Sequence, residues 1–349
     1  MNVIDNCYKP KTRETWADNA KFMGIALMVL GHNSLANQQV TDFIYSFHMP
    51  LFFILSGYFA SRKDVPFHVY LKKNLRGLLI PYLTFCIIAL PFTYYCLWNN
   101  SAIYPCRNEI DFMLRPLLGI MLVKTTSFSY FIGPLWFFMA LFIVRMMFYV
   151  CRKYLSNLKN CIAVSLASIF LYLFMQELYT GIWPFRLNSA CLLFPFYVFG
   201  YMVHRNGILL EKMKRSSRGN VILSTILLLL LTYFMSSING HVETAGGGYG
   251  NYLLLMYINA VIGSLGIIFI STQIKKNKYI LTIGGGTAIV LGLHTNFQVV
   301  FMQIVSFALG TSSFPLWIAV CMTVLLLALH IPFIRFINTY CPYLIGKHK

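Results

Sequence analysis

Apolar segments long enough to cross a bilayer alternate with short polar segments along the whole chain. An apolar run of about twenty residues can span the hydrocarbon core as a helix. The pattern predicts ten spans, near 19–37, 43–61, 78–98, 130–150, 161–179, 184–203, 219–238, 251–273, 279–300 and 314–334. The ninth span has three glycines near its start, and its apolar character continues to Phe307. The sequence therefore predicts an all-α, polytopic integral membrane bundle.

The segments between the spans indicate one domain over residues 1–349. A polar N-terminal segment (1–18) precedes the transmembrane bundle (19–334), and a short tail (335–349) follows it. The first apolar segment lacks a small-residue cleavage site, so we expect it to remain as a helix. The longest outer segment, 99–129, is predicted to hold a short interfacial helix, and the glycine-rich loop 239–250 is predicted to be a flexible external turn.

Composition and charge support the membrane class and give the predicted orientation. Hydrophobic residues make up 58% of the chain and charged residues 11%, whereas soluble domains carry about 25% charged residues. If the N-terminus is cytoplasmic, the inner segments contain 22 of the 28 basic residues and the outer loops contain four. The positive-inside rule then predicts that both termini are cytoplasmic. The net charge of +18 is thus mostly a topology signal, and we expect no nucleic acid partner.

The first span contains a pair of residues that suggests chemistry. Lys21 and His32 are eleven residues apart, which places them on one helix face, separated by roughly 16 Å along the axis. Ionisable groups within a bilayer usually face an interior or a cavity. The pair predicts a site that receives a charged molecule at one face and does chemistry further in. The alternative for His32 is a hydrogen bond to a neighbouring helix, although Gly31 and Asn33 beside it favour function.

The second span and the segment that follows it add further candidates. His48 lies near the predicted depth of His32, close to Pro50, and Ser56 follows two turns later. His48 could instead bridge helices near the interface. A basic cluster follows this span, and its members suit phosphate groups; they are Lys72, Lys73 and Arg76. The alternative for this cluster is orientation charge together with contacts to anionic lipid.

Three more residues lie in the predicted outer half of the bundle. Glu177 is the one clearly intramembrane carboxylate in the predicted spans, and we nominate it to orient a histidine or hold a polar substrate. The alternative is a carboxylate that reaches water at the interface. His294 also falls in the outer half, and Trp136 could stack against a sugar or act as an interfacial anchor. The nine cysteines show no metal-ligand spacing, and we expect no metal.

These residues carry a resemblance to the acyltransferase-3 family of integral membrane acyltransferases, and within it to the fucose 4-O-acetylase-like sugar O-acetyltransferases. The family's basic residue, ten-residue spacer and histidine match Lys21 to His32, and its basic-x-x-Arg motif matches Lys73 to Arg76, with Lys where Arg is frequent. The segment Phe47–Gly57, the Pro134–Phe137 run and His294 are also similar. The specific motifs lie within residues 13–82.

The resemblance implies O-acyl transfer, typically of acetyl, from cytoplasmic acyl-CoA to a hydroxyl of a cell-surface or lipid-linked sugar at a bacterial inner membrane. Lys21, Lys72, Lys73 and Arg76 would hold the CoA phosphates. His32 would act as general base or transient acyl acceptor. Glu177 is expected to assist catalysis, and the expected substrate contacts are His48, Asn33, Ser56, Trp136 and His294. Membrane lipids are further partners, and a homodimer is one open oligomeric state.

A transporter or flippase with a histidine proton relay is the alternative function. A transporter would explain the spans and the histidines as well as an acyltransferase does. It does not explain basic residues at the inner end of the His32 face, and the chain shows no symmetry between two halves of the kind found in transporters.

Overall fold

The computed structural model describes residues 14–60, 65–99, 106–124 and 132–347. Within these ranges the regular structure is helical, apart from one isolated bridge between Leu35 and Phe314. The helices are α1 (Thr15–Gly31), α2 (Gln38–Tyr58), α3 (Phe67–Asn74), α4 (Ile80–Asn99), α5 (Glu109–Leu122), α6 (Trp136–Cys151), α7 (Leu158–Leu178), α8 (Leu187–Asn206), α9 (Ile208–Arg215), α10 (Arg218–Asn239), α11 (Leu253–Gln273), α12 (Lys278–Gly285), α13 (Thr287–Leu309) and α14 (Leu316–Tyr340). A π-helix (Leu75–Leu79) joins α3 to α4, and short 3-10 turns are Gly133–Leu135, Pro184–Arg186 and Pro342–Ile345.

Several helices begin at a polar residue that caps the first turn. In each case a side-chain oxygen accepts a hydrogen bond from a backbone N–H near the start of the helix, which satisfies a donor that has no partner within the helix. The capping residues are Asn37 of α2, Asn108 of α5, Asn157 of α7, Ser217 of α10 and Asn277 of α12. The sequence thus fixes these helix starts locally.

Nine helices in the described part of the chain are long and apolar enough to cross a membrane. They correspond to the second to tenth predicted spans. Helix α1, which has 17 residues and carries Asp18 and Lys21, is not among these nine. The count of ten spans and the side of the termini remain predictions.

The outer surface of the bundle is strongly apolar. Helices α7 and α10 expose large side chains, including Leu166, Phe170, Leu227, Leu230 and Phe234. A soluble monomer rarely exposes apolar patches of this extent, whereas lipid tails are a suitable environment for them. The chain is a multi-pass membrane protein.

Helix α2 lies at the centre of the bundle, in contact with α1, α8, α10 and α11. Its contact with α8 is a backbone contact: a Cβ atom on Gly57 would lie 1.9 Å from the Tyr197 carbonyl oxygen, and a Cβ atom on Gly200 would lie 1.9 Å from that of Ile54. Small residues allow such close approach in membrane bundles. These glycines therefore set the position of α2, which carries much of the site.

Three predicted segments differ from the expectation or refine it. The ninth predicted span is split at Gly286 into α12 and α13, and α13 alone is long enough to cross. A Cβ atom on Gly286 would lie 2.7 Å from Ile334 side-chain atoms, so α14 packs directly against this break. The short helix expected within 99–129 is present as α5. The loop 239–250 is not a loose turn, because Val242, Thr244 and Ala245 are buried.

Helices α1 and α2 run antiparallel and define two ends of the bundle. Trp16 at the start of α1 meets Tyr58 at the end of α2, with ring centroids 5.1 Å apart. At the other end of the pair, His32 meets Tyr45 at 5.9 Å. We call these the Lys21 end and the His32 end.

Candidate active site

His32 lies directly after the last residue of α1, in helical backbone conformation. Its Nδ1 atom is 3.1 Å from the Tyr45 hydroxyl oxygen of α2. The ring of His294, from α13, lies 5.5 Å from the His32 ring. Three helices therefore bring an imidazole pair and a phenol together at one place.

Two of the neighbouring histidines have a defined tautomer. Nδ1 of His48 donates to the Ile44 carbonyl at 2.9 Å, and Nδ1 of His294 lies 3.1 and 3.0 Å from the carbonyls of Val290 and Leu291. A carbonyl only accepts, so Nδ1 carries the proton in each ring, and the neutral ring has its lone pair on Nε2. Nε2 of His294 is buried, and no described group bonds to it. His294 therefore offers an acceptor to a polar ligand beside His32.

A polar stripe on α2 connects His32 to the end of the bundle. Its members are spaced by four, three and three residues, which places them along one helix face. They are Gln38, Asp42, Tyr45 and His48. Gln38 Nε2 donates to Asp42 Oδ1 at 2.8 Å, and the rings of Tyr45 and His48 are 5.0 Å apart. The stripe leads from the opening beside Asp42 at the His32 end, which we call the mouth, to the histidines.

His241, in the loop after α10, covers the mouth. Its ring lies 4.8 Å from that of Tyr45, and its Nδ1 atom is 2.9 Å from Asp42 Oδ1. Its Nε2 atom is 3.9 Å from Glu243 Oε2. The carboxylates of Glu243 and Asp42 raise the pKa of His241 above its ordinary value, although partial burial opposes this effect.

The loop that carries His241 and Glu243 is held by buried side chains. Arg186, which is fully buried, donates to the carbonyls of Ala245 at 2.6 Å and Val123 at 2.7 Å. Tyr172 donates to the Gly247 carbonyl at 2.6 Å. Arg186 and Val123 both have left-handed backbone conformations, which cost free energy in residues other than glycine. The packing of this loop thus fixes His241 over Tyr45.

Asn33 has a structural role next to His32. Its Nδ2 atom donates to Thr323 Oγ1 at 2.8 Å and to the Ala319 carbonyl at 3.0 Å. Its Oδ1 atom accepts from Gln298 Nε2 at 2.6 Å. Asn33 is buried, and both ends of its amide bind protein groups. We therefore assign it to positioning His32 between α13 and α14, in place of the predicted substrate contact.

The predicted phosphate-binding residues lie toward the Lys21 end. Lys21 is 3.3 Å from Asp18 Oδ1 and lies over the Phe59 ring at 5.8 Å. Lys72 and Lys73 are exposed on α3, and Arg76 lies in the π-helix, a geometry frequent at functional sites. The C-terminal turn packs against this π-helix, since a Cβ atom on Gly346 would lie 1.8 Å from the Arg76 carbonyl oxygen.

The structure does not bring every predicted residue to His32. Ser56 lies near the end of α2, where it accepts a hydrogen bond from Arg145 at 3.0 Å, so it belongs to the Lys21 end. Glu177 is exposed on α7 and forms no ion pair with a histidine among the described residues, and its part in catalysis stays a prediction. Trp136 is buried in the core at the start of α6, which differs from an interfacial anchor.

Comparison with known proteins identifies the chain. The model of the acyltransferase-3 family, described as an acyltransferase domain, matches residues 14–335. The chain belongs to the acyltransferase-3 family. The match runs from the residue before α1 into α14 and includes both ends of the bundle. No similar protein was found among curated proteins, and no similar structure among solved ones.

As a membrane acyltransferase, the chain has site residues that the sequence pattern did not single out. His241 and Glu243 form the mouth together with Asp42, and Tyr45 lies between this mouth and His32. The spacing of Asp42, Tyr45 and His48 could have pointed to Tyr45, because it repeats on one helix face. No local signal marks His241 or Glu243, since only the packing of their loop places them there.

Proposed function

We propose that this membrane acyltransferase is a sugar O-acetyltransferase. The acyl-CoA phosphates bind at the Lys21 end, which faces the cytoplasm, and the acceptor hydroxyl enters at the His32 end. The bacterial inner membrane is the proposed location, with both termini cytoplasmic. Contacts with the acceptor come from His48, His294 and the mouth formed by Asp42, His241 and Glu243.

The observation that carries the proposal is the position of His32 relative to Lys21. One short helix has a cation at one end of the bundle and, about 16 Å away along its axis, an imidazole within 3.1 Å of a tyrosine hydroxyl. A donor whose phosphates bind near Lys21 can extend its thioester toward His32. The family supplies the reaction class, and this geometry supports the division between the donor and acceptor ends.

The chemistry follows from the properties of a neutral imidazole. We assign the tautomer in which His32 Nδ1–H donates to the Tyr45 oxygen, so that Nε2 has the lone pair. His32 removes the proton of the acceptor hydroxyl as the oxygen attacks the thioester carbonyl. The C–O bond forms, the C–S bond breaks, and the proton passes to the departing CoA thiolate. His32 can instead take the acyl group itself and pass it to the hydroxyl.

The test uses purified protein in proteoliposomes, with labelled acetyl-CoA and a panel of sugar acceptors. We expect labelled ester in the wild type and none in His32→Gln, which keeps a polar side chain without a basic nitrogen. CoA release without acceptor and a labelled protein intermediate would favour the acyl-histidine route. If the wild-type protein neither binds CoA nor releases it from acetyl-CoA, the proposed donor is refuted. Transport of the sugar without acylation would favour a carrier.

A further inference from the structure

Arg145 is a cation inside the bundle with only neutral partners. It lies in α6, where Nη1 donates to Asn74 Oδ1 at 3.1 Å and Nη2 donates to Ser56 Oγ at 3.0 Å. Its backbone carbonyl accepts from the Tyr70 hydroxyl at 3.1 Å. Among the described residues no carboxylate forms an ion pair with Arg145.

This arrangement is unusual for a charged side chain in a membrane protein. Ionisable groups within spans pair with opposite charges or mark the path of a substrate or ion. A guanidinium has five N–H donors, and the contacts of Arg145 with Asn74, Ser56 and the Tyr197 hydroxyl leave two donors for a ligand. The positive charge itself is not balanced by any described partner. Arg145 is therefore suited to an anion that arrives from outside the chain.

Two neighbouring arginines have surroundings that differ from those of Arg145. Arg152 lies just after α6, where it donates to the Tyr149 carbonyl at 2.6 Å and stacks over the Tyr149 ring at 3.6 Å. Arg205, in the last turn of α8, is exposed and donates to the Leu155 carbonyl at 3.1 Å. Both lie at helix ends, but only Arg205 is exposed to solvent, whereas Arg152 is buried with its guanidinium covered by the Tyr149 ring. Arg145 lies within α6, two turns before its end.

The contacts of Arg145 place it between the two groups of predicted phosphate-binding residues. Ser56 lies in the last turn of α2, three residues before Phe59, whose ring is 5.8 Å from Lys21 Nζ. Residues three apart on a helix are neighbours. On the other side, Asn74 stands between Lys73 and Arg76 in sequence. Arg145 thus lies between the Lys21 end of the bundle and the π-helix.

We propose that Arg145 binds a phosphate group of the acyl-CoA donor, deeper in the bundle than Lys73 and Arg76. This inference rests on the proposed function, because it uses the same donor. The planar fork of Arg matches phosphate oxygens. Asn74 and Ser56 hold the guanidinium in place without neutralising it, so the charge remains available to the donor.

The experiment measures how tightly three compounds, CoA and two fragments of it, bind to wild-type and variant proteins in phosphatidylcholine vesicles. The first compound is CoA itself. The second is dephospho-CoA, which lacks the 3′-phosphate, and the third is pantetheine, which lacks all phosphates. Arg145→Gln keeps hydrogen-bonding groups and removes the charge, whereas Arg145→Lys keeps the charge. Arg205→Gln is the matched control, since it removes a second arginine near the same end, one that donates to the Leu155 backbone carbonyl. Thermal melting shows that each variant is folded.

We expect Arg145→Gln to weaken CoA binding by roughly 10- to 100-fold, the range of a charge-assisted hydrogen bond, with pantetheine binding unchanged. Arg145→Lys should recover part of the loss, and Arg205→Gln should bind CoA as the wild type does. Loss of dephospho-CoA binding as well assigns Arg145 to the diphosphate, and loss of CoA binding alone assigns it to the 3′-phosphate.

Three outcomes overturn the inference. Equal loss of CoA and pantetheine binding in Arg145→Gln means that Arg145 only braces the fold. Wild-type CoA affinity in the folded Arg145→Gln variant means that it binds no donor phosphate. A loss seen only when phosphatidylglycerol is added to the vesicles means that its anion is a lipid headgroup. In this assay the proposed function fails if the wild type binds no CoA, a result distinct from these three outcomes.

Discussion

Tyr45→Phe tests the contact between Tyr45 and His32 most cleanly, because it removes one hydroxyl and keeps the ring. The ring contacts to His48 at 5.0 Å and His241 at 4.8 Å should persist, so we expect the fold to be retained. The lost interaction is the one between the tyrosine hydroxyl and His32 Nδ1 at 3.1 Å. The variant therefore reports on the imidazole.

The magnitude follows from the change in charge on His32 during the reaction. A hydrogen bond between neutral groups contributes about 1 kcal/mol, and one to a charged group contributes about 1.5–3 kcal/mol. When His32 takes the hydroxyl proton it becomes an imidazolium, and its bond to Tyr45 strengthens. The gain of about 0.5–2 kcal/mol appears only in the transition state, so its loss should lower kcat by about 2- to 30-fold.

The assay is steady-state transfer from labelled acetyl-CoA, with kcat and the KM for the donor measured separately. We expect the donor KM to stay at the wild-type value, because the phosphates bind at the Lys21 end. Tyr257→Phe is the matched control. Its hydroxyl donates to the Leu192 carbonyl at 2.8 Å, in a comparable bond away from His32, and its kcat should be unchanged.

Two results would refute the reasoning about Tyr45. If kcat falls by less than about twofold, Tyr45 does not stabilise the imidazolium and only packs against it. A loss of about a thousandfold or more exceeds what one such hydrogen bond supplies, and would mean that the tyrosine hydroxyl itself reacts.

Three further predictions concern stability, each measured as a shift in melting temperature of the protein in detergent. His241→Gln should lower the melting temperature most below pH 6.5, where the wild-type imidazole is protonated beside Glu243. Because the pKa of His241 is raised in the folded protein, the difference between variant and wild type should shrink as the pH rises through that pKa. A difference that does not depend on pH would contradict this reasoning. Asn33→Ala should lower the free energy of unfolding by about 1–3 kcal/mol, because it leaves buried polar groups without partners. An unchanged melting temperature would show that water replaces the amide. Gly200→Ala should destabilise strongly, because its Cβ atom would lie 1.9 Å from a carbonyl oxygen of α2, whereas the control Gly219→Ala meets no atom within 4 Å and should be neutral or slightly stabilising.

Hydropathy was sufficient to predict most of the bundle, because a lipid environment imposes length and apolarity on each crossing helix. Predicted spans two to eight and ten each coincide with one long helix, with bounds that differ by at most six residues, whereas the ninth span is divided into α12 and α13. The three glycines correctly marked the ninth span as unusual, and the break falls at Gly286. The helix α5 was also predictable, from acidic residues followed by apolar ones. These features depend on local sequence alone.

The candidate site was only partly predictable, because its other members depend on tertiary packing. Lys21 and His32 share one helix, so their spacing alone places them at opposite ends. His241 comes from a loop whose glycines suggested flexibility, and buried contacts from Arg186 hold that loop in place. The exposure of Glu177 could not be predicted, because the apolar residues of α7 are not confined to one face of the helix. Arg145 has partners in two other helices.

The measurement that tests the central claim most directly compares Lys21→Gln with His32→Gln in the same proteoliposomes, recording both the Kd for CoA and the rate of acetyl transfer. The account predicts opposite patterns. Lys21→Gln should weaken CoA binding and retain transfer at saturating donor, whereas His32→Gln should bind CoA normally and lose transfer. If His32→Gln transfers acetyl at the wild-type rate, or if both variants lose only CoA affinity, the division into a donor end and a reaction end is wrong.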